Sequence, residues 1–283
     1  MGRVSGKVAF ITGAGQGQGR SHAVRLAEDG ADIIATDLCA SYPPFMQYKS
    51  ASKQDLDETR QLVEKTGRRC VTAVADVRDR AALQRAVDQG VAELGRLDIV
   101  CANAGAFTFH RSSLDIPEEI FDYVVDTNLK GVWNTIVTTA PTMIRLGNGG
   151  SIILTSSSAG IRGQVHYAHY AASKHGVVGL MRTFANELGE HRIRVNSIHP
   201  TGVSSPGMGA ADIGDLWNSS KYFMMGGTTT LPDLDTEPGG EFVPVPLLRE
   251  IEISNAVLFL ASDEGRYIHG VTLPVDAGNV NKP

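Results

Sequence analysis

The chain has 283 residues, 31 of them glycine, with 42% hydrophobic and 20% charged residues, a composition that is globular rather than disordered or fibrous. Its net charge of −5, with no basic run longer than Arg68–Arg69, argues against a nucleic-acid surface. No apolar stretch is long enough for a membrane span and the N-terminus carries no apolar signal segment, so a cytoplasmic chain with neither membrane nor nucleic-acid partners is expected.

From the N-terminus, short Val/Ile-rich runs alternate with helix-periodic stretches. Residues 7–12 read as a strand, followed by a glycine loop and a helix over 19–29 whose Ala23, Leu26 and Ala27 share one face. Further strands are predicted at 31–37, 70–75, 97–102, 151–156, 193–199 and 271–275, and further helices at 53–66, 79–94, 118–146, 168–189 and 251–262. This alternation predicts an α/β doubly wound fold, a parallel sheet with helices on both faces and right-handed crossovers. Two stretches break the rhythm. Residues 38–52, with Tyr42, Pro43, Pro44, Phe45 and Tyr48, read as an ordered flap after the second strand. Residues 201–247, with Trp217, Tyr222, Phe223, Met224 and Met225, read as a lid over an apolar substrate pocket. No linker or repeat divides the chain, so one domain over residues 1–283 is expected. Cys39, Cys70 and Cys101 are too scattered for a disulfide framework or a zinc knuckle and read as reduced, mostly buried thiols at strand ends.

Residues 12–19, TGAGQGQG, directly follow the first strand and open the first helix. Gly13 permits a tight turn, and Gly17 and Gly19 let backbone approach a diphosphate seated on the helix N-terminus, with Gln16 and Gln18 between them. Asp37 ends the second strand, where a carboxylate accepts both hydroxyls of an adenosine ribose and repels a 2′-phosphate. Its neighbours Leu38 and Cys39 are not basic, so NAD is expected rather than NADP. Asp76 and Val77 after the third strand are placed at the adenine edge, and Asn103, Ala104 and Gly105 after the fourth are small enough for a ribose to pass.

The chemistry is expected in residues 151–174, SIILTSSSAGIRGQVHYAHYAASK. Tyr170 and Lys174 are spaced i, i+4 on a predicted helix and share a face. A phenol is a poor base near neutral pH, and an adjacent ammonium is expected to draw its pKa down. Ser157 at a strand end offers a hydroxyl to a substrate oxygen. Ser156 and Ser158 compete for that role, but strand alternation turns them to the other side. Tyr167 competes with Tyr170 and lacks a lysine four residues on. Asn128, in the preceding long helix, offers an amide to hold a water that relays protons to Lys174. His110, His166 and His169 are placed along the pocket, with no metal role.

Together TGAGQGQG, Asn103-Ala104-Gly105, Asn128, Ser157, YAASK at 170–174 and NSIHP at 196–200 resemble the short-chain dehydrogenase/reductase family over nearly the whole chain. The resemblance implies a Rossmann-type fold with seven parallel strands in the order 3-2-1-4-5-6-7. It also implies an Asn-Ser-Tyr-Lys tetrad and a homotetramer. Lys174 would then also bind the nicotinamide ribose, and Tyr170 would face the nicotinamide. Pro200, Thr201, Gly202, Val203 and Ser205 fall where the family contacts the cofactor. The stretches 17–39, 199–206 and 260–278 are similar to the mycofactocin-coupled branch, which includes carveol dehydrogenases. That branch holds NAD so tightly that it hardly exchanges and passes electrons to a peptide-derived redox carrier, with the 38–52 flap covering the cofactor. The sequence departs from these patterns at Thr201, Ser205, Gly207 and Gln16, where a glycine, a threonine, a bulkier residue and an arginine are usual.

The expected reaction is interconversion of a small hydrophobic secondary alcohol and its ketone. Tyr170 exchanges the proton, Ser157 steadies the oxygen, Lys174 tunes the phenol and Asn128 holds the relay water. Two other readings use the same residues: a freely exchanging NAD(P)-dependent ketone or 3-oxoacyl reductase, and a non-enzymatic NAD-binding scaffold.

Overall fold

Strands covered on both faces are short and apolar throughout, and their alternate side chains feed two different cores. The computed structural model describes residues 2–207 and 247–281 and shows this in β1 (Val8–Thr12). Val8 and Phe10 enter one hydrophobic cluster, Ala9 and Ile11 the other. β2 (Asp32–Asp37), β3 (Cys70–Val74), β4 (Ile99–Ala102), β5 (Gly150–Thr155) and β6 (Ile193–Pro200) follow, and a short pair, β7 (Val203–Ser204) and β8 (Leu248–Arg249), precedes β9 (Thr272–Val275). The main sheet has seven strands in the order β3-β2-β1-β4-β5-β6-β9. All six pairings are parallel. The seventh strand of the expected order is thus β9, because the β7–β8 pair forms a separate sheet.

Helices α1 (Gly17–Glu28), α2 (Lys53–Lys65) and α7 (Glu250–Ala261) pack on the face that holds Ala9 and Ile11. Helices α3 (Arg80–Leu94), α5 (Gly131–Leu146) and α6 (Ala168–Leu188) cover the other face. Their ends carry the expected signals. Ser52 and Asp55 form a reciprocal capping box at α2, and Asp79 caps α3 by accepting from the N–H groups of Ala81 and Ala82. The strand order reverses between β1 and β4. In open parallel sheets that reversal opens a crevice at the carboxyl ends of the strands.

The structure corrects the sequence reading at several points. The helix expected over 118–146 is α4 (Glu118–Val125), a π turn over Asp126–Lys130 and then α5. Residue propensities carry no signal for that widened turn. It closes with the Gly131 N–H on the Asp126 carbonyl, five residues back. α1 begins at Gly17, two residues earlier than expected, because the loop glycines are themselves its first turn. Of the cysteines only Cys101 is fully buried, and it lies within β4 rather than at its end. The flap has no helix before Ser52. Trp217, Tyr222, Phe223, Met224 and Met225 lie outside the described residues, as does most of the expected lid. Among the described residues no helix is long and apolar enough to cross a membrane.

A third, aromatic cluster sits at the carboxyl end of the sheet. Tyr48 of the flap joins Phe107, Tyr167 and Tyr170 there, with Tyr42, Phe109 and Tyr123 packed against them. It connects the flap to the start of α6 and so to the crevice.

Candidate active site

A cavity of about 540 Å³ occupies the crevice at the strand ends. Every residue assigned to the nucleotide from sequence lines it: Gly13, Gln16, Gly17, Gln18, Gly19, Asp37, Leu38, Asp76, Val77, Asn103, Ala104, Gly105, Tyr170, Lys174, Pro200, Thr201, Gly202, Val203 and Ser205.

At one end the wall is backbone. Gly13 has φ +67°, and a Cβ there would stand 2.9 Å from Ala104 Cα. A Cβ on Gly19 would stand 2.0 Å from the Gly13 carbonyl oxygen. These positions accept only glycine, which leaves the turn bare where α1 begins. The N-cap residue Gln16 makes no side-chain cap bond. The first N–H groups of α1 thus have no cap from the Gln16 side chain, and such a helix start favours an anion. The bare turn and uncapped helix start fit the diphosphate of NAD.

Asp37 sits beside this turn, buried, with Oδ2 accepting from the Gly15 N–H at 2.8 Å and Oδ1 from the Cys39 N–H at 3.4 Å. Burial pushes its pKa up against those bonds. Asp76 is less available than expected. Arg78 grips both its oxygens, with Nη2 at 2.6 Å from Oδ2, Nε at 3.0 Å from each, and its own N–H at 2.8 Å from Oδ1. Burial works against the Asp76 carboxylate, but these bonds hold its pKa below the usual value. The Arg78 guanidinium also lies 4.5 Å from the centre of the Tyr123 ring, and both residues line the cavity. Sequence reasoning missed both; the only signal was Arg78 directly following Asp76 and Val77.

The flap closes the side of the cavity with Tyr42 and Tyr48. It is pinned to the segment after β4. Gln47 Oε1 accepts from the Phe109 N–H at 2.9 Å, its Nε2 donates to the Phe109 carbonyl at 3.1 Å, and the Phe107 N–H donates to the Tyr48 hydroxyl at 3.0 Å. Gln16 ties the glycine loop to the flap by donating to the Lys49 carbonyl at 3.1 Å.

At the other end the wall is side chain. α6 begins at Ala168, so Tyr170 lies in its first turn with Lys174 one turn on. Lys174 Nζ donates to the Thr155 carbonyl at 2.8 Å, and Ser156 Oγ donates to the Lys174 carbonyl at 2.9 Å. These bonds stitch α6 to the end of β5. Lys174 Nζ lies 5.5 Å from the centre of the Tyr170 ring. The Phe107 ring stands edge-on to Tyr170 at 5.0 Å and to Tyr167 at 5.2 Å.

The titration of this pair departs from the sequence expectation. Burial pushes the Tyr170 phenol up to about 12, opposed only by a hydrogen bond with Ser157. Burial lowers Lys174 to about 8. The ammonium is directed at the Thr155 carbonyl, and loss of hydration outweighs its pull on the phenol. The i, i+4 spacing gave the shared face but not the depth of burial.

Ser157 lines the cavity in extended backbone, φ −168°, at the start of a short 3-10 turn over Ser158–Gly160. Its Oγ accepts from the Ala159 N–H at 3.1 Å and donates to the Pro200 carbonyl over 3.5 Å. Ser156 and Ser158 also line the cavity, against the expectation from alternation, because the strand has ended at Thr155. Their hydroxyls are engaged elsewhere, Ser156 with Lys174 and Ser158 with Gln164 Nε2 at 3.2 Å.

Asn128 is fully buried in the π turn and does not line the cavity. Its Oδ1 accepts from the Ala106 N–H at 2.6 Å, and its Nδ2 donates to the Ala106 carbonyl at 2.8 Å and to Ser173 Oγ at 3.3 Å. Both amide protons are engaged, so a relay water would have to use the second lone pair of Oδ1. The histidines are corrected: His110, His166 and His169 are not among the cavity-lining residues, and His110 and His169 share the Thr108 hydroxyl at 3.1 and 2.8 Å.

Known proteins agree with this architecture. A model of the short chain dehydrogenase family matches residues 7–213. The chain is 45% identical to (−)-trans-carveol dehydrogenase of Rhodococcus erythropolis over 291 aligned positions covering 100% of both chains. The crystal structure of carveol dehydrogenase from Mycobacterium avium in complex with NAD is similar with a TM-score of 0.88 and 48% identity, covering 100% of each chain. A short chain dehydrogenase from Mycobacterium paratuberculosis bound to NAD gives a TM-score of 0.88 at 45% identity, over 99% of this chain and 100% of that one. With a seven-stranded parallel sheet, a glycine cradle at its switch point and matches over this much of its length, the chain belongs to the short-chain dehydrogenase family.

Proposed function

We propose that this chain interconverts a small hydrophobic secondary alcohol of the carveol type and its ketone. The chain is an NAD-dependent oxidoreductase of its family, with NAD as cofactor. The observation that carries the substrate reading is the placement of Ser157, Tyr170 and Lys174 on one wall of a cavity whose other end is the glycine cradle. The name of the Rhodococcus relative, 45% identical over the whole chain, supports the alcohol class.

Gly13, Gly17, Gly19 and Asp37 would hold the adenosine and diphosphate, and Lys174 and Val203 the nicotinamide half. When bound, NAD supplies the hydride acceptor and, oxidised, a positive charge near the phenol. Tyr170, kept protonated by its burial, is the general acid for ketone reduction. For alcohol oxidation it must first lose that proton. Ser157 donates to the substrate oxygen, its alternative acceptor at Pro200 being distant at 3.5 Å. Lys174 keeps the end of β5 and the face of Tyr170 in register through Thr155. The positioning share of Asn128 is to hold the Ala106 backbone against Ser173 of α6.

The same reading includes NAD that stays bound while electrons leave to a peptide-derived redox carrier; its support is the flap pinned by Gln47 and Tyr48. It also includes a homotetramer, which would cover the partly exposed Phe121, Trp133 and Ile144 along α4 and α5. The test is Tyr170→Phe in the purified protein. Single-turnover hydride transfer from a carveol-like alcohol is expected to fall about 10³-fold, within the range of acid–base catalysis, while bound NAD is kept. Turnover close to the unaltered enzyme overturns the assignment. Protein purified without nucleotide, yet active on added NAD, favours a freely exchanging dehydrogenase. Light scattering at one chain mass removes the tetramer.

A further inference from the structure

We propose that His199 is a positioning residue that sets Ser157 by a hydrogen bond from its ring to the Ser157 carbonyl. The proposal rests on the reading of Ser157 as the donor to the substrate oxygen, and it concerns how that donor is held.

The β5–β6 ladder runs to the register Thr155 opposite Ile198, and its last rung is the Ser156 N–H on the Ile198 carbonyl at 2.9 Å. In a parallel ladder the next rung would bring the N–H of residue 200 to the Ser156 carbonyl. Residue 200 is proline, which has no N–H, so the ladder must stop there. Ser157 is the next residue and is not carried by the sheet.

What replaces the ladder is a side chain. His199 Nδ1 lies 2.8 Å from the Ser157 carbonyl oxygen, and His199 Nε2 lies 2.8 Å from Ser197 Oγ. Both His199 and Ser197 are fully buried. A carbonyl only accepts, so Nδ1 carries the proton. Burial lowers the His199 pKa to about 4, and Lys174 nearby opposes a second positive charge. The ring is therefore neutral at working pH, Nε2 is an acceptor, and the Ser197 hydroxyl donates to it. Ser197 thus fixes the tautomer, the tautomer fixes the carbonyl, and the Ser157 hydroxyl follows at the cavity wall. Because His199 precedes Pro200, the residue that ends the ladder adjoins the one that substitutes for it.

The experiment uses the full chain with its nucleotide and compares His199→Asn, His199→Gln, His199→Leu and Ser157→Ala, reading kcat, KM for the alcohol and retained NAD. Asparagine can offer an N–H close to the place of Nδ1; glutamine reaches instead toward Nε2, and leucine has no donor. His199→Leu and His199→Gln are expected to lower kcat by about 10²-fold, the cost of a slightly misplaced catalytic group, with KM and NAD retention unchanged. His199→Asn is expected to stay within about threefold of the unaltered enzyme. Equal losses for asparagine and leucine, or a leucine variant that keeps its kcat while Ser157→Ala loses it, overturn the positioning role alone. Ser157→Ala with kcat intact overturns the role of Ser157 and this proposal with it. If the variants do not fold, nitrogen-15 spectra of the unaltered protein decide: a protonated Nδ1 with a bare Nε2 supports the proposal, and the opposite tautomer overturns it.

Discussion

The two ends of the cavity are built from different material. At the nucleotide end the wall is glycine backbone and the first turn of a helix, and side chains matter mostly by being absent. At the chemical end the wall is built of buried side chains held by bonds such as Lys174 to the Thr155 carbonyl and Ser157 to the Ala159 N–H, with Asn128 behind it bonded to Ala106 and Ser173. The first construction is local in sequence and unforgiving of any added atom. The second is distributed, and its chemistry depends on how far the fold removes each group from water.

The difference is sharpest as a crossed pair of variants. Gly13→Val places a branched side chain at φ +67°, where even a Cβ meets Ala104 at 2.9 Å. It is expected to weaken NAD binding by about 10³-fold, a few kcal/mol of clash and backbone strain, measured by nucleotide titration. The near-ultraviolet signature of Tyr170 and its neighbours should survive, since they belong to another element. Tyr170→Phe is expected to do the reverse, keeping the nucleotide and losing hydride transfer. If both variants lose both properties, the two ends are one cooperative unit and the division drawn here fails.

A smaller effect is expected at Asp37. Asp37→Ser removes the carboxylate that would repel a 2′-phosphate, so the preference for NAD over NADP should narrow by about 10- to 100-fold, the worth of one or two charge-assisted hydrogen bonds. The loss belongs in the affinities, with hydride transfer from the bound state unaltered. An unchanged preference would place cofactor selection elsewhere, with Arg78 the next residue to test.

How much of this was legible in the sequence follows the same division. TGAGQGQG and YAASK are contiguous, and their spacing translates directly into a turn and a helix face. The partners that finish the site are not contiguous. The engaged amide of Asn128 depends on Ala106 and Ser173, and the grip of Arg78 on Asp76 depends on a loop conformation that no periodicity reports. The π turn over Asp126–Lys130 leaves the hydrophobic pattern of a continuous helix almost intact, so the pattern could not show it. The i, i+4 spacing of Tyr170 and Lys174 reports proximity to an ammonium and says nothing about the burial that pushes the phenol up.

Gln47 tests the seam between the two ends. Its side chain makes two hydrogen bonds with the backbone of Phe109, joining the cofactor-side flap to the aromatic cluster around Tyr167 and Tyr170. Gln47→Ala is expected to speed NAD dissociation by about tenfold, the net worth of two such bonds, in a stopped-flow displacement measurement. An unchanged rate would mean that the flap is held by its aromatic contacts and by the hydrogen bonds at Tyr48 and Lys49.

The last difference lies in how stability depends on pH, to which the buried lysine and phenol of the chemical end contribute with opposite sense. Burial lowers the folded pKa of Lys174 to about 8 from the ordinary 10.5, so between those values the unfolded chain binds a proton that the folded chain does not. Stability from this group therefore rises with pH across that window, by at most about 1.4 kcal/mol per pH unit. Tyr170 has the opposite sense. Its folded pKa of about 12 lies above the ordinary 10.0, so the folded chain keeps a proton that the unfolded chain loses, and stability from this group falls as pH rises from 10 to 12. Cys39, Cys70 and Cys101, pushed up by burial to about 11, 12 and 12, share the sense of Tyr170, so total stability does not climb above pH 9 and the Lys174 share is read as the difference between the unaltered protein and Lys174→Met. That difference should move in favour of the unaltered protein from pH 8 toward 10, because methionine fills the space without a proton to lose. A difference that does not change with pH would mean that the ammonium is better hydrated in solution than its burial between β5 and α6 implies.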